Sequence, residues 1–310
     1  MNDKLVTLIG GGGFLGRYVA QALMAKGARV RIAQRDPRQA FFLKPLGGLG
    51  QTQFVAVDIA RPDTVARAVQ GSDAVVNLVG VLAGDFQKYH VEGAANVAKA
   101  VAAAGIEAFV HVSAIGADAA SPSAYGRTKG EGEAAVRTAC PHATIVRPSI
   151  VFGQEDAFIN RFAGMIAKAP VVPMIRPTAK FQPVFVGDVA DGIVAALADP
   201  AAFGGETLEL AGPDVMTMAE IFHWIAKAIG RTPSFVELPD AAGSVIARLP
   251  LAPITRDQWQ MLQVDNVASP GAEGLAALGV APTPLDAVAG WLVRFQKAGR
   301  FGRRVATRAA

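Results

Sequence analysis

A single cysteine, Cys140, is the whole thiol complement of this 310-residue chain, so no disulfide forms within it. The four histidines, His90, His111, His142 and His223, are scattered and give no Cys/His cluster with metal-ligand spacing. These two absences fit a reducing cytoplasm and predict no metal. Charged residues are only 18% of the chain, few for a soluble protein. Either some surface is buried against a partner or a membrane face, or the composition is simply rich in alanine. No apolar run approaches the ~18–20 residues of a membrane span. The opening Met-Asn-Asp-Lys leads straight into an apolar strand, without the basic and long apolar regions of a signal peptide. Acid is missing from the end: none follows Asp286, whereas Lys297, Arg300, Arg303, Arg304 and Arg308 fall in the last fourteen residues. Without those five, 25 basic residues face 26 acidic ones, so the body is near neutral with a basic tail. That distribution argues against a nucleic-acid footprint.

What is present is hydrophobic residue, 51% of the chain, in a pattern that alternates short strands with helices. Strands are expected at Leu5–Gly10, Ala28–Ala33, Phe54–Val57, Ala74–Leu78, Phe109–Val112 and Thr144–Val146. Helices are expected at Phe14–Lys26, Pro62–Gln70, Val91–Ala104 and Tyr125–Thr138. This order predicts an α/β fold: a doubly wound parallel Rossmann sheet with a smaller C-terminal lobe. Residues 1–153 form the dinucleotide-binding domain, completed by about 183–212. Residues 154–182 and 213–296 form the small lobe for substrate or partner, and 297–310 the basic tail. In the lobe, Phe158–Ala169 reads as a helix and is followed by a loop with Pro170, Pro173 and Pro177. Asp188 is expected to cap the helix ending near Ala198. Thr217 with Glu220, and Thr255 with Gln258, have capping-box spacing.

The first strand runs into Gly10-Gly-Gly-Gly13-Phe14-Leu15-Gly16. Small residues there allow a tight turn, backbone approach to a pyrophosphate and close helix–strand packing. The helix that follows presents free N–H groups to the phosphates. Where an NAD-binding unit ends its second strand on an acid, this chain has Gln34, then Arg35, nineteen residues after Gly16. Arg35 is either a bidentate grip for a 2′-phosphate or a solvated loop charge. Asp36 precedes Pro37 and is expected to open a turn. The reading is NADP(H) preferred, with NAD(H) as the alternative. Asp58 and Ile59 end the third strand near the expected adenine.

These pieces, with Asn77-Leu-Val79-Gly80, Val112-Ser113, Tyr125-Gly-Arg-Thr-Lys129 and Arg147-Pro148-Ser149, resemble the short-chain dehydrogenase/reductase superfamily in its extended or atypical branch. The resemblance implies Tyr125 as acid/base and Lys129, on the same helix face, as its tuner and ribose ligand. It implies cofactor contacts from Gly10, Gly13, Phe14, Leu15, Gly16, Gln34, Arg35, Asp58, Ile59, Val79, Gly80, Ser113, Tyr125, Lys129 and Pro148. It also requires a hydroxyl after the fifth strand, and that position falls on Ala114, with Ser113 adjacent on the opposite face. A slip of one residue would restore Ser113. His111 reads as a core residue, Trp224, Trp259 and Trp291 as helix anchors, and Glu131 and Glu133 as facing water.

Ser113-Ala-Ile-Gly-Ala, Phe181-Gln-Pro-Val-Phe-Val-Gly-Asp188-Val-Ala, and Thr255-Arg-Asp-Gln-Trp259 with Asp265-Asn266 resemble bacterial relatives of the NAD(P)H-binding accessory subunit of respiratory complex I. This implies a tightly held, weakly active or redox-silent NADPH in an accessory or assembly protein. The alternatives are an active NADP-dependent reductase, epimerase or dehydratase using Tyr125 and Lys129, and a non-catalytic NADP(H) sensor. Expected partners are the dinucleotide, respiratory complex subunits, or an anionic membrane surface met by the basic tail. The expected location is cytoplasmic, peripheral on the membrane face.

Overall fold

The computed structural model describes residues 1–247 and 254–296, so the basic tail lies outside the described residues. The chain divides into two compact units. The first comprises Met1–Pro148, Val186–Leu210 and Ser269–Ala281. The second comprises Ser149–Phe185, Ala211–Ala268 and the chain from Pro282 onward.

Seven parallel strands build the first unit: β1 (Leu5–Ile9), β2 (Arg29–Gln34), β3 (Thr52–Ala56), β4 (Ala74–Asn77), β5 (Ala108–Val112), β6 (Thr144–Pro148) and β7 (Thr207–Leu210). Their order is β7-β6-β5-β4-β1-β2-β3. The sequence leaves β1 in one direction and resumes on its other side at β4, which makes a topological switch point. β4 and β5 are buried along their whole length, as strands covered on both faces must be. Helices α1 (Phe14–Ala25) and α5 (Val186–Ala198) pack together; α2 (Pro62–Val69), α3 (Gly93–Ala103) and α4 (Ala124–Ala139) form another layer. The doubly wound sheet expected from the alternation is the observed one.

The helix starts follow local chemistry. Pro62 occupies the first turn of α2, where its missing N–H costs nothing. Ser123 caps α4 by accepting from the Gly126 N–H. Asp188 lies buried in the first turn of α5. A 3₁₀ segment, Pro37–Leu46, and a π turn, Gln87–Glu92, had no periodic signature and were not expected.

Two expectations need correction within the first unit. Ser269–Ala281, placed by sequence in the small lobe, belongs here. Glu209 N–H donates to the Glu273 carbonyl, and Ser269 N–H to the Glu209 carboxylate at 2.7 Å. Leu275 and Leu278 are buried with it. Glu133 does not face water. Both of its carboxylate oxygens accept from Arg147, at 2.9 and 2.6 Å, and Glu209 lies 3.5 Å from the same guanidinium. Glu131 stays partly exposed, 3.9 Å from Arg127.

The second unit has its own core around Phe152, Ile159, Ile166, Phe222, Ile225 and Leu292. The proline-rich stretch is not all loop. Val171–Ile175 is a strand, paired in parallel with Ser234–Leu238, and Pro173 sits at an exposed position of this two-stranded sheet. Proline is tolerated there because an edge strand has an N–H to spare. Both capping boxes form, Thr217 with Glu220 and Thr255 with Gln258. Asp265 accepts from the Lys180 N–H, and Asn266 from the Ile150 N–H and the Ser149 hydroxyl, so this pair pins loops together.

Candidate functional site

The carboxyl ends of β1, β2, β4 and β5 gather the sequence-predicted residues in the first unit. Gly10 follows β1 with φ +85°, a backbone region that side-chain-bearing residues rarely adopt. A Cβ on Gly16 would lie 2.6 Å from the Gly11 carbonyl oxygen, so only glycine lets α1 approach this closely. Gly13 is the N-cap of α1 and has no side chain to spend on it. The first-turn N–H groups of Phe14, Leu15 and Gly16 therefore point outward as a ready anion site.

Gln34 ends β2. Its Oε1 accepts from the Gly12 N–H at 3.0 Å and its Nε2 donates to the Asp36 carbonyl at 2.7 Å. Asp36 caps the 3₁₀ segment and is held bidentately by Arg38, at 2.9 and 3.0 Å. That pairing keeps its carboxyl below the usual range. Arg35 is exposed, its guanidinium 5.9 Å from the Tyr89 ring centroid. Asp58 forms the turn ahead of α2, its carboxylate accepting from the Ala60 N–H and its carbonyl from the Arg61 N–H, and Ile59 is buried with its carbonyl held by Asn96.

At the other end, Asn77 closes β4. Its Oδ1 accepts from the Val79 N–H and its Nδ2 meets His111 Nδ1 at 3.1 Å. Val79 and the exposed Gly80 follow. His111 is a satisfied core residue, and burial pushes it well below the usual imidazole range. Ser113 continues the ladder from β5; its hydroxyl is buried without a hydrogen-bond partner. Ala114 is half-buried on the alternate side. Pro148 ends β6 buried, and its carbonyl accepts from the Ile115 N–H.

Tyr125 and Lys129 lie one turn apart on α4. The Lys129 ammonium donates to the Val112 carbonyl at 2.8 Å. Burial lowers its pKa to about 8, against the raising effect of Glu133. Burial drives the Tyr125 hydroxyl the other way, up to about 12, which is opposite to the lowering that the pair predicts.

Sequence reasoning missed His90. The π turn before α3 carries it to Tyr125, edge to face at 5.3 Å, and stacks it on Phe86 at 5.3 Å. Its Nε2 accepts from the Val81 N–H at 3.0 Å, so Nδ1 carries the proton toward Thr128 Oγ1, also at 3.0 Å. Thr128 passes its own hydrogen to the Ala124 carbonyl. Burial, then the Lys129 charge, lowers the His90 pKa to about 4. Nothing in the spacing of His90 marks it, because a π turn leaves no periodic trace.

Two observations fit a dinucleotide here: a glycine cradle that a Cβ would fill, and the orphaned Ser113 hydroxyl at the opposite end. When bound, a nicotinamide supplies hydride transfer. A parallel sheet with this order, a glycine loop at its switch point and a Tyr/Lys pair one turn apart define a nicotinamide-dinucleotide-binding Rossmann fold.

The chain belongs to the NAD-dependent epimerase/dehydratase family, whose profile matches residues 6–211. It is 37% identical over 298 residues to the mitochondrial NADH dehydrogenase (ubiquinone) 1 alpha subcomplex subunit 9 of Mus musculus, covering 92% of this chain and 78% of that one. It is 32% identical over 241 residues to a ceramide reductase of Caulobacter vibrioides, covering 76% and 74%. Among solved structures, an NADPH-dependent quinone oxidoreductase of Escherichia coli complexed with NADPH shares the fold, with a TM-score of 0.73 at 19% identity, over 92% of this chain and 98% of that one. The resemblance to short-chain dehydrogenase/reductases and to complex I accessory subunits is thus borne out.

Proposed function

We propose that this chain is an NADP(H)-binding accessory or assembly protein associated with respiratory complex I, and that its nucleotide turns over weakly or not at all. The observation that carries the reading is extent. Similarity to the mitochondrial subunit runs over 92% of the chain, whereas the family match stops at residue 211. Silence in redox chemistry is supported by Ala114 at the carbonyl-polarising position and by the high Tyr125 pKa. The preference for NADP(H) is supported by Gln34 in the acidic slot, by Asp36 committed to Arg38, and by the exposed Arg35. The NADPH held by the quinone oxidoreductase of the same fold agrees with it.

The site residues follow. Gly10, Gly13, Phe14, Leu15 and Gly16 take the pyrophosphate, and Gln34, Arg35, Asp58 and Ile59 the adenosine end. Val79, Gly80, Ser113, Tyr125, Lys129 and Pro148 line the nicotinamide end. The basic tail from Lys297 meets an acidic subunit or the membrane surface.

A second reading, an active NADP-dependent reductase with Tyr125 as acid/base and Lys129 as its tuner, is favoured by that pair and by the similarity to a ceramide reductase. One experiment separates the two. The native protein is isolated, its copurifying nucleotide identified, carbonyl substrates offered, and its neighbours crosslinked. NADPH that oxidises very slowly, beside respiratory subunits, supports the first reading. Robust turnover lost in Tyr125→Phe overturns it.

A further inference from the structure

The near balance of charge in the body of the chain hides a segregation. From Lys4 to Val57 there are eight basic residues and one acid, Asp36. From Asp58 to Gln296 the ratio reverses, with 17 basic residues and 24 acidic ones. The basic stretch is β1, α1, β2 and β3 with the 3₁₀ segment Pro37–Leu46 laid over them.

That segment shows the solvent an apolar face. Only Ala40 and Leu43 are buried, while Phe41 rests edge-on against Phe54 with ring centroids 5.2 Å apart. Phe41, Phe42 and Leu46 keep 41%, 42% and 46% of their surface, and Leu49, between glycines at a loop tip, is fully exposed. Cations stand among them. The Lys44 ammonium rests 3.6 Å from the Phe41 ring centroid, and the Arg17 guanidinium lies 4.6 Å from that of Phe42. No acid occurs between Pro37 and Val57. Partly exposed phenylalanines and leucines beside two long cationic side chains match the interface of an anionic bilayer. The rings and leucines enter the acyl boundary while the ammonium and guanidinium groups stay with the phosphates. A glycine-flanked leucine standing clear of its neighbours suits a soft surface, which needs no complementary pocket.

We propose that the surface formed by Phe41, Phe42, Lys44, Leu46 and Leu49 docks this protein on an anionic lipid bilayer. The contact is structured and separate from the basic tail. Each basic residue near such a surface contributes about 1 kcal/mol, a factor of about five.

The test uses the full chain. A Leu49→Cys variant is labelled with an environment-sensitive fluorophore; the native Cys140 is buried and leaves the label to position 49. Vesicles are phosphatidylcholine alone, or phosphatidylcholine with phosphatidylglycerol. The expected result is a blue shift, with quenching by spin-labelled acyl chains, on the anionic vesicles only. Lys44→Gln should weaken vesicle partitioning about fivefold. Leu46→Ser with Leu49→Ser should weaken it about tenfold. NADPH binding, followed by calorimetry, should stay unchanged in both. The proposal is overturned if the label stays in water while the protein sediments with anionic vesicles, because the tail alone then binds. It is equally overturned if the protein does not bind vesicles at all, or if only an acidic protein shields the label.

Discussion

The Lys129 ammonium donates to the carbonyl oxygen of Val112, tying the middle of α4 to the last residue of β5. Its charge is marginal, because burial has brought its pKa to about 8. Binding an anionic dinucleotide favours the charged form, and that advantage fades as the pH rises through this value. NADPH affinity measured by calorimetry from about pH 7 to about pH 9 should therefore fall with rising pH. Lys129→Met should bind more weakly and show a flat profile. A native profile that is already flat would refute the link.

On the NADP(H) reading proposed above, Arg35 sets the choice of nucleotide. Arg35→Ala should weaken NADPH by about 1.5–3 kcal/mol and leave NADH nearly unchanged, if the guanidinium bonds to a 2′-phosphate are charge-assisted. Calorimetry with both nucleotides checks this, and equal native affinities would sink it.

On the weakly active reading proposed above, Ala114 leaves the Tyr125/Lys129 pair without a hydroxyl on its side of the strand. Installing one with Ala114→Ser should raise the rate of NADPH oxidation by a reducible carbonyl by about 10²–10³-fold, the scale of an oxyanion donor. Stopped-flow absorbance at the reduced nicotinamide band is the measurement. No gain, with the cofactor bound normally, would mean that the register falls on Ser113 instead.

Arg147 sits between two nearly buried carboxylates, Glu133 and Glu209. Arg147→Met should cost about 3–5 kcal/mol, because two acids are left without their shared cation. Denaturant unfolding reads the loss directly. Arg147→Lys should recover only part of it, since an ammonium lacks the fork that meets both oxygens of Glu133.

His90 and His111 are both held neutral in the folded chain, His90 with a pKa of about 4 and His111 well below its usual value. Both take up a proton near pH ~6.5 when unfolded. The unfolded state therefore binds more protons between about pH 6.5 and about pH 4, and stability falls on acidification through that window by ~1.4 kcal/mol per pH unit per histidine. His90→Asn keeps an acceptor for the Val81 N–H and should lessen the slope by one proton. An unchanged slope would show that His90 titrates normally.

The parallel sheet and the glycine loop were legible because each rests on a strong local rule: buried apolar runs for β4 and β5, and small residues where α1 meets β1. The capping boxes were legible for the same reason. Pro173 misled, since proline argues against a strand unless that strand is an edge, and the edge belongs to a pairing with Ser234–Leu238 sixty residues away. Glu133 misled because its partner Arg147 comes from another element. His90 was invisible because the π turn that delivers it has no sequence period.

The return of Ser269–Ala281 to the first unit has a consequence for how the protein is made. The chain passes between the two units five times. A ribosome has released β6 long before it supplies β7, and Leu275 and Leu278, which with Leu210 surround Gly192 of α5, come later still. The edge of β6 therefore waits for β7, and the Gly192 face of α5 for Leu275 and Leu278. The second unit is drawn from three separated stretches, and the first, continuous through Pro148, is completed only by two later ones. Completion of the first unit therefore waits for the chain through residue 281.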